Sequence, residues 1–245
     1  MRIMRIMEIR TPMYISSLTK TAFLAACLAL FSNASAHATL VAWSLNPDNL
    51  NQDLNTNTAA FTVAGYTITA RGYDNWDGNG HARDLHYKWE GADEFGLGLR
   101  GTPNNELQVN GSGMPLNFIQ LDLRSILLQG FTGGQIEVGS VQSGESFDLY
   151  GSNTLGQLGT KINGAAYGHT YDLQFVSVPN FGSYGFLSVV AHSGDLLPVA
   201  FQANIVPIPE MGSLIPAACL AIVVTAFEAR RRKRDRIYRP SFPNV

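Results

Sequence analysis

The sequence predicts an all-β protein: an antiparallel β-sandwich over residues 39–205, with an N-terminal signal helix before it and a single C-terminal transmembrane helix after it. Three observations carry this. No long stretch of residues 39–205 keeps the 3.6-residue apolar period of a helix; several short stretches alternate apolar and polar; and turns rich in Gly, Asn and Pro recur at roughly ten-residue spacing. Short alternating strands punctuated in this way pack as two antiparallel sheets around one core. With the ends removed, about 165 residues remain, enough for one well-buried domain.

Residues 1–38 have the layout of a secretory signal peptide. Arg2, Arg5, Arg10 and Lys20 precede an apolar core at 21–31, and Ala34 and Ala36 flank Ser35 as the small residues of a cleavage site. Met13 is an alternative start that still leaves a basic region ahead of the apolar core. Within 39–205, Ile119, Leu121 and Leu123 face one way while Gln120, Asp122 and Arg124 face the other, the pattern of a half-buried strand. The same alternation places Phe147 and Leu149 opposite Asp148, Tyr66, Ile68 and Ala70 opposite Thr67 and Thr69, and Tyr171, Leu173 and Phe175 opposite Asp172 and Gln174. Further strands are expected at 40–45, 85–89, 135–141, 185–191 and 199–205, and the one helical candidate is a turn at 153–158.

Past residue 205 the character changes. Val206-Pro207-Ile208-Pro209-Glu210 leads into an apolar run at 211–227, about 25 Å long as a helix and just short of a typical hydrocarbon core. Arg230, Arg231, Arg232, Lys233 and Arg234 then form a basic stop, which the positive-inside rule keeps in the cytoplasm with the tail at 235–245. A cleaved signal at the other end would leave the intervening domain outside the inner membrane.

This order of Pro-Glu motif, apolar span and arginine cluster over 206–234 resembles the PEP-CTERM sorting segment of Gram-negative bacteria, a type of segment also labelled as the C-terminal domain of ice-binding proteins. Met211 stands where that family usually has a second proline after the glutamate. The resemblance implies an exosortase-type processing enzyme as partner, with Val206, Pro207, Pro209 and Glu210 as its motif, and an inner-membrane-anchored precursor that ends in the cell envelope or outside the cell. The order of 93–99, 105–107, 118–123 and 147–153 is similar to a layout recurring in such ectodomains, which implies a jelly-roll-like, carbohydrate-binding type of sandwich.

Charge and cysteine usage narrow the chemistry. Residues 39–205 hold six basic and fifteen acidic side chains, a net charge near −9, which repels nucleic acid and suits cations or neutral polymers such as extracellular polysaccharide. Cys27 and Cys219 both fall outside this span, so the domain has no disulfide, thiolate nucleophile or cysteine metal site.

The loop at 73–80 is rich in oxygen donors. Asn75, Asp77 and Asn79 with Gly80 imitate the first half of a calcium loop, but the twelfth position is His86 rather than a bidentate glutamate. A looser structural calcium site built from Asp74, Asp77, Asp93, Glu94 or Glu106 across neighbouring loops is the only cofactor the sequence suggests. Tyr73, Trp76 and Trp89 beside acids and amides are a mixture that stacks and holds sugars. Glu90, Asp93, Glu94 and Glu106 form a dense acidic set but lack the spacing of a glycosidase pair; His81 and His86 lack zinc-site spacing; and no Gly-x-Ser-x-Gly elbow occurs. The leading expectation is therefore a non-enzymatic exported protein of the envelope or extracellular matrix. The alternatives are a calcium-assisted carbohydrate-binding module and a hydrolase with an unrecognised site.

Overall fold

A computed structural model describes residues 38–75, 80–109 and 117–205, together with Val224, Thr225, Phe227, Glu228, Arg230, Arg231 and Arg232. The segments expected to be a signal peptide and a sorting motif, and most of the apolar run at 211–227, lie outside these residues. The described tail residues are helical, and no helix among the described residues is long and apolar enough to cross a membrane.

Three antiparallel sheets make up the domain. The first runs β1 (Thr39–Ser44), β16 (Asp195–Ile205), β10 (Phe131–Gly139), β14 (Gln174–Ser177), with β8 (Leu107–Gln108) also paired to β16. In the second, β12 (Thr160–Lys161), β11 (Ser146–Ser152), β15 (Phe186–Ser193), β9 (Asn117–Asp122), β4 (Tyr66–Asp74) and β3 (Thr58–Val63) follow in that order. To these are added β13 (Tyr167–Gly168) on β11 and β5 (His81–Ala82) on β4. A small third sheet joins β2 (Gln52–Asp53), β6 (Leu85–Trp89) and β7 (Phe95–Leu99).

The core explains the pairing. Trp43 from β1, Ile136 from β10 and Phe201 from β16 meet Ile68 from β4, Leu121 from β9, Leu149 from β11 and Val189 from β15 in one buried cluster. Each is an inward position of an alternating strand, so the first two sheets bury one face each against the other in a β-sandwich-like arrangement. Trp43 is buried with its indole N–H satisfied by the Tyr66 carbonyl at 2.9 Å, and truncating such a residue costs about 3–5 kcal/mol. The first and last strands pair in register from Thr39↔Ile205 to Ser44↔Ala200, which sets the two ends of the domain side by side.

Four local expectations need correction. Residues 153–158 are bends and a turn, not a helix; the helix lies instead at α1 (Arg124–Leu128), too short to show a period, buried through Ile126 and closed by Gly130 at φ 83°. The strand placed at 171–175 begins only at Gln174, because Tyr171 ends a 3-10 turn and Leu173 sits at φ 52°. Gln120 does not face solvent: it is 0% exposed, because the loop at 153–159 covers that face of β9. Asp148 is likewise buried rather than outward-facing in water, held by groups distant in sequence.

Candidate functional site

A buried polar cluster is built on the β6–β7 hairpin, whose turn closes with the Glu90 N–H donating to the Glu94 carbonyl at 2.9 Å. Along β7, Phe95-Gly96-Leu97-Gly98-Leu99 alternates size as well as facing. Leu97 and Leu99 enter the core, while Gly96 and Gly98 stand opposite Lys88 and His86 on the other face. Neither glycine tolerates a side chain. A β-carbon at Gly96 would meet the Pro198 carbonyl oxygen at 2.6 Å, and one at Gly98 the Asn105 carbonyl oxygen at 1.8 Å. The two glycines thus let β16 and the 3-10 turn Pro103–Asn105 lie directly on the hairpin, which delivers the next residue, Glu106, to Lys88.

Lys88 and Glu106 are each 1% exposed. The Lys88 ammonium donates to Glu94 Oε1 at 2.5 Å and to Glu106 Oε1 at 2.7 Å, and Glu90 Oε2 stands 3.5 Å away. Ser140 Oγ donates to the same Glu106 Oε1 at 3.1 Å. Burial alone would lower the ammonium's pKa, but the hydrogen bonds to Glu106 and Glu94 outweigh it and push it up to about 12. For Glu106, burial wins over the opposing lysine, and the neighbouring Asp195 carboxylate adds to it, so its carboxyl is raised to about 7. Burial in the company of Asp195 also raises Glu145. The Lys88 ammonium is thus the internal counter-ion of Glu106 and Glu94.

A second buried charge lies on β11. Asp148 Oδ1 accepts from Lys161 Nζ at 2.8 Å and Asn163 Nδ2 at 3.0 Å, and Oδ2 lies 2.9 Å from His192 Nδ1. Neither this network nor the Gln120 latch carries a local signal, because the partners are 13 to 44 residues from Asp148 and the cover over Gln120 is a loop 36 residues away.

The sequence-selected residues are spread over these features. Tyr73 is 6% exposed and its ring stacks on Phe118 at 5.0 Å, with Gly156 of the covering loop against it, so its ring face is taken. Trp89 stands on the third sheet beside Phe95, at 5.3 Å between ring centroids. Trp76 and Asp77 lie outside the described residues. Asp74 is paired to Arg83 Nη1 at 3.0 Å, Glu94 to Lys88, and Asp93 is exposed on the hairpin turn. Of the anticipated calcium acids, Glu94 and Glu106 meet at the Lys88 ammonium, while Asp74 lies on the second sheet paired to Arg83. Among the described residues no group of three or more His, Cys, Asp or Glu side chains is arranged to hold a metal. His86 bridges Asp53 Oδ1 at 2.9 Å and Asn51 Oδ1 at 3.0 Å, so both its ring nitrogens are engaged within the fold.

No family model, no curated protein and no solved structure matches the chain.

Proposed function

We propose that this is an exported, non-enzymatic protein of the cell envelope or extracellular matrix: a jelly-roll-like sandwich delivered by its signal segment and sorted through its PEP-CTERM-like tail. The observation that carries the reading is the order of the C-terminal elements, Pro209-Glu210, then the apolar run, then the cluster from Arg230 to Arg234, on a chain that opens with a signal-like segment. The pairing of Thr39 with Ile205 supports it, since both targeting segments then leave from one edge of the domain and either can be cut without opening the sheet. The sandwich is suited to persistence outside the cell. Lys88 and Glu106 are paired with each other inside the fold, and Asp148 is held by Lys161, Asn163 and His192.

In this reading an exosortase-type enzyme recognises Val206, Pro207, Pro209 and Glu210 while the tail holds the precursor in the inner membrane. The test is a tag inserted before Val206 in the full chain, followed by cell fractionation in a host with and without an exosortase. The tagged domain should sit in the inner membrane without the enzyme and move to the envelope or medium with it. A purely cytoplasmic product would sink the reading.

A further inference from the structure

We propose that Lys88 and Glu106 condense after folding to an intramolecular amide, a covalent staple between the β6–β7 hairpin and the segment that enters β8. The geometry is that of a reacting pair. Lys88 Nζ is 2.7 Å from one oxygen of the Glu106 carboxyl, both side chains are 1% exposed, and Glu94 stands 2.5 Å from the same nitrogen as a proton acceptor. Ser140 donates to Glu106 Oε1 at 3.1 Å, the oxygen that would carry charge during attack on the carboxyl carbon.

The backbone around this pair is held in unfavourable conformations. Asn104 and Asn105, which deliver Glu106, lie at φ 53° and 56°, and Ser140 lies at φ 60°. Left-handed conformations at non-glycine residues persist where the surrounding structure fixes them, and they cluster where a side chain must be aimed. Gly98 beneath the Asn105 carbonyl completes the alignment.

The reaction needs no reagent beyond the chain. The ammonium passes one proton to Glu106 along their 2.7 Å hydrogen bond, leaving a neutral amine beside a carboxylic acid. The amine lone pair attacks the Glu106 carboxyl carbon and the new nitrogen gives a second proton to Glu94. Glu94 returns that proton to the departing hydroxyl, which leaves as water. One ammonium and one carboxylate become one amide and one water, with no change of oxidation state.

Two physical effects favour the product. Fixing nucleophile and electrophile in contact corresponds to an effective concentration on the order of 10⁵–10⁸ M. Condensation also removes two charges from a site where each bears a desolvation penalty. The raised carboxyl of Glu106 fits the acid form that the attack requires, while the firmly held Lys88 ammonium makes the neutral amine scarce and the reaction slow. A slow reaction suffices for a bond made once. With Cys27 and Cys219 both outside residues 39–205, no disulfide can do the same work in the domain.

Tryptic peptide mapping of the purified protein decides it. Residues 84–100 and 101–124 should appear as one branched species, lighter than their sum by one water and uncut after Lys88. K88R should give the separate peptides, and E106Q should give the same branched species by loss of ammonia. E94Q keeps the pair but removes the relay, and should form the link about 10²-fold more slowly. Separate peptides cut after Lys88 in the wild-type protein would overturn the proposal, as would an E94Q variant that links at the wild-type rate.

Discussion

Gly98 lies beneath the Asn105 carbonyl with room for a hydrogen and nothing larger: a β-carbon there would stand 1.8 Å from the oxygen. Because the contact is with backbone, no side-chain rotation relieves it. Gly98→Ala should therefore destabilise the domain by about 3 kcal/mol or more, the upper end of overpacking penalties. Gly164→Ala, where nothing lies within 4 Å of the added carbon, is the matched control and should shift a urea midpoint little.

Gln120 latches the loop at 153–159 to the outer face of the second sheet. It accepts from the Gly156 N–H at 2.9 Å and donates to the Gln157 carbonyl at 3.0 Å. Gln120→Ala removes both bonds, to partners that water can still reach, together with a 3.3 Å bond to the buried Ser188 hydroxyl, for a loss of about 1–2 kcal/mol. The loop should also open locally, so that limited proteolysis between residues 153 and 159 and acrylamide access to Tyr73 both increase.

Asp148 is the shared anchor of Lys161, Asn163 and His192. Asp148→Ala leaves Asn163 buried without that partner and frees the Lys161 and His192 side chains at the surface. A cost of about 2 kcal/mol is expected, below that of a fully buried pair because Lys161 and His192 are 33% and 52% exposed. A thermal melt should show it, and Lys161→Ala should cost less than Asp148→Ala.

The pH dependence of the Lys88–Glu106 link follows from the two raised groups. Below the Glu106 value of about 7 the pair holds an acid and an ammonium, one proton too many for attack. Between about 7 and the Lys88 value of about 12 the pair has the single shared proton count from which amine and acid arise by transfer. Glu90 and Glu94 face the ammonium, and Asp195, with Glu145 behind it, faces Glu106; burial first and Asp195 second hold the Glu106 carboxyl up. Chain recovered unfolded and refolded at a series of pH values should thus link faster as pH rises through about 7 and then level off.

Much of the sandwich was legible because alternation reports on one face at a time. Ile119, Leu121 and Leu123 enter the core as their spacing requires, and so do Phe147, Leu149, Ile68 and Ala70. The opposite faces were not legible. Whether Gln120 or Asp148 meets water depends on a loop and on strands that arrive from elsewhere in the chain, and no local pattern encodes that. The glycines of β7 were visible as a Gly-rich run, but their purpose emerges only once Asn105 and Pro198 are seen above them. Of the acids picked out for calcium, Asp74 pairs with Arg83 and Glu94 with Lys88, partners that no spacing in the sequence announces.

The most direct test of the whole account is the mass of both ends of the mature protein, recovered from the envelope or medium of a host that carries an exosortase. The mature protein should begin close after Ala36 and end ahead of the basic cluster that starts at Arg230. A cytoplasmic chain that retains both the apolar core at 21–31 and Arg230 to Arg234 would contradict it.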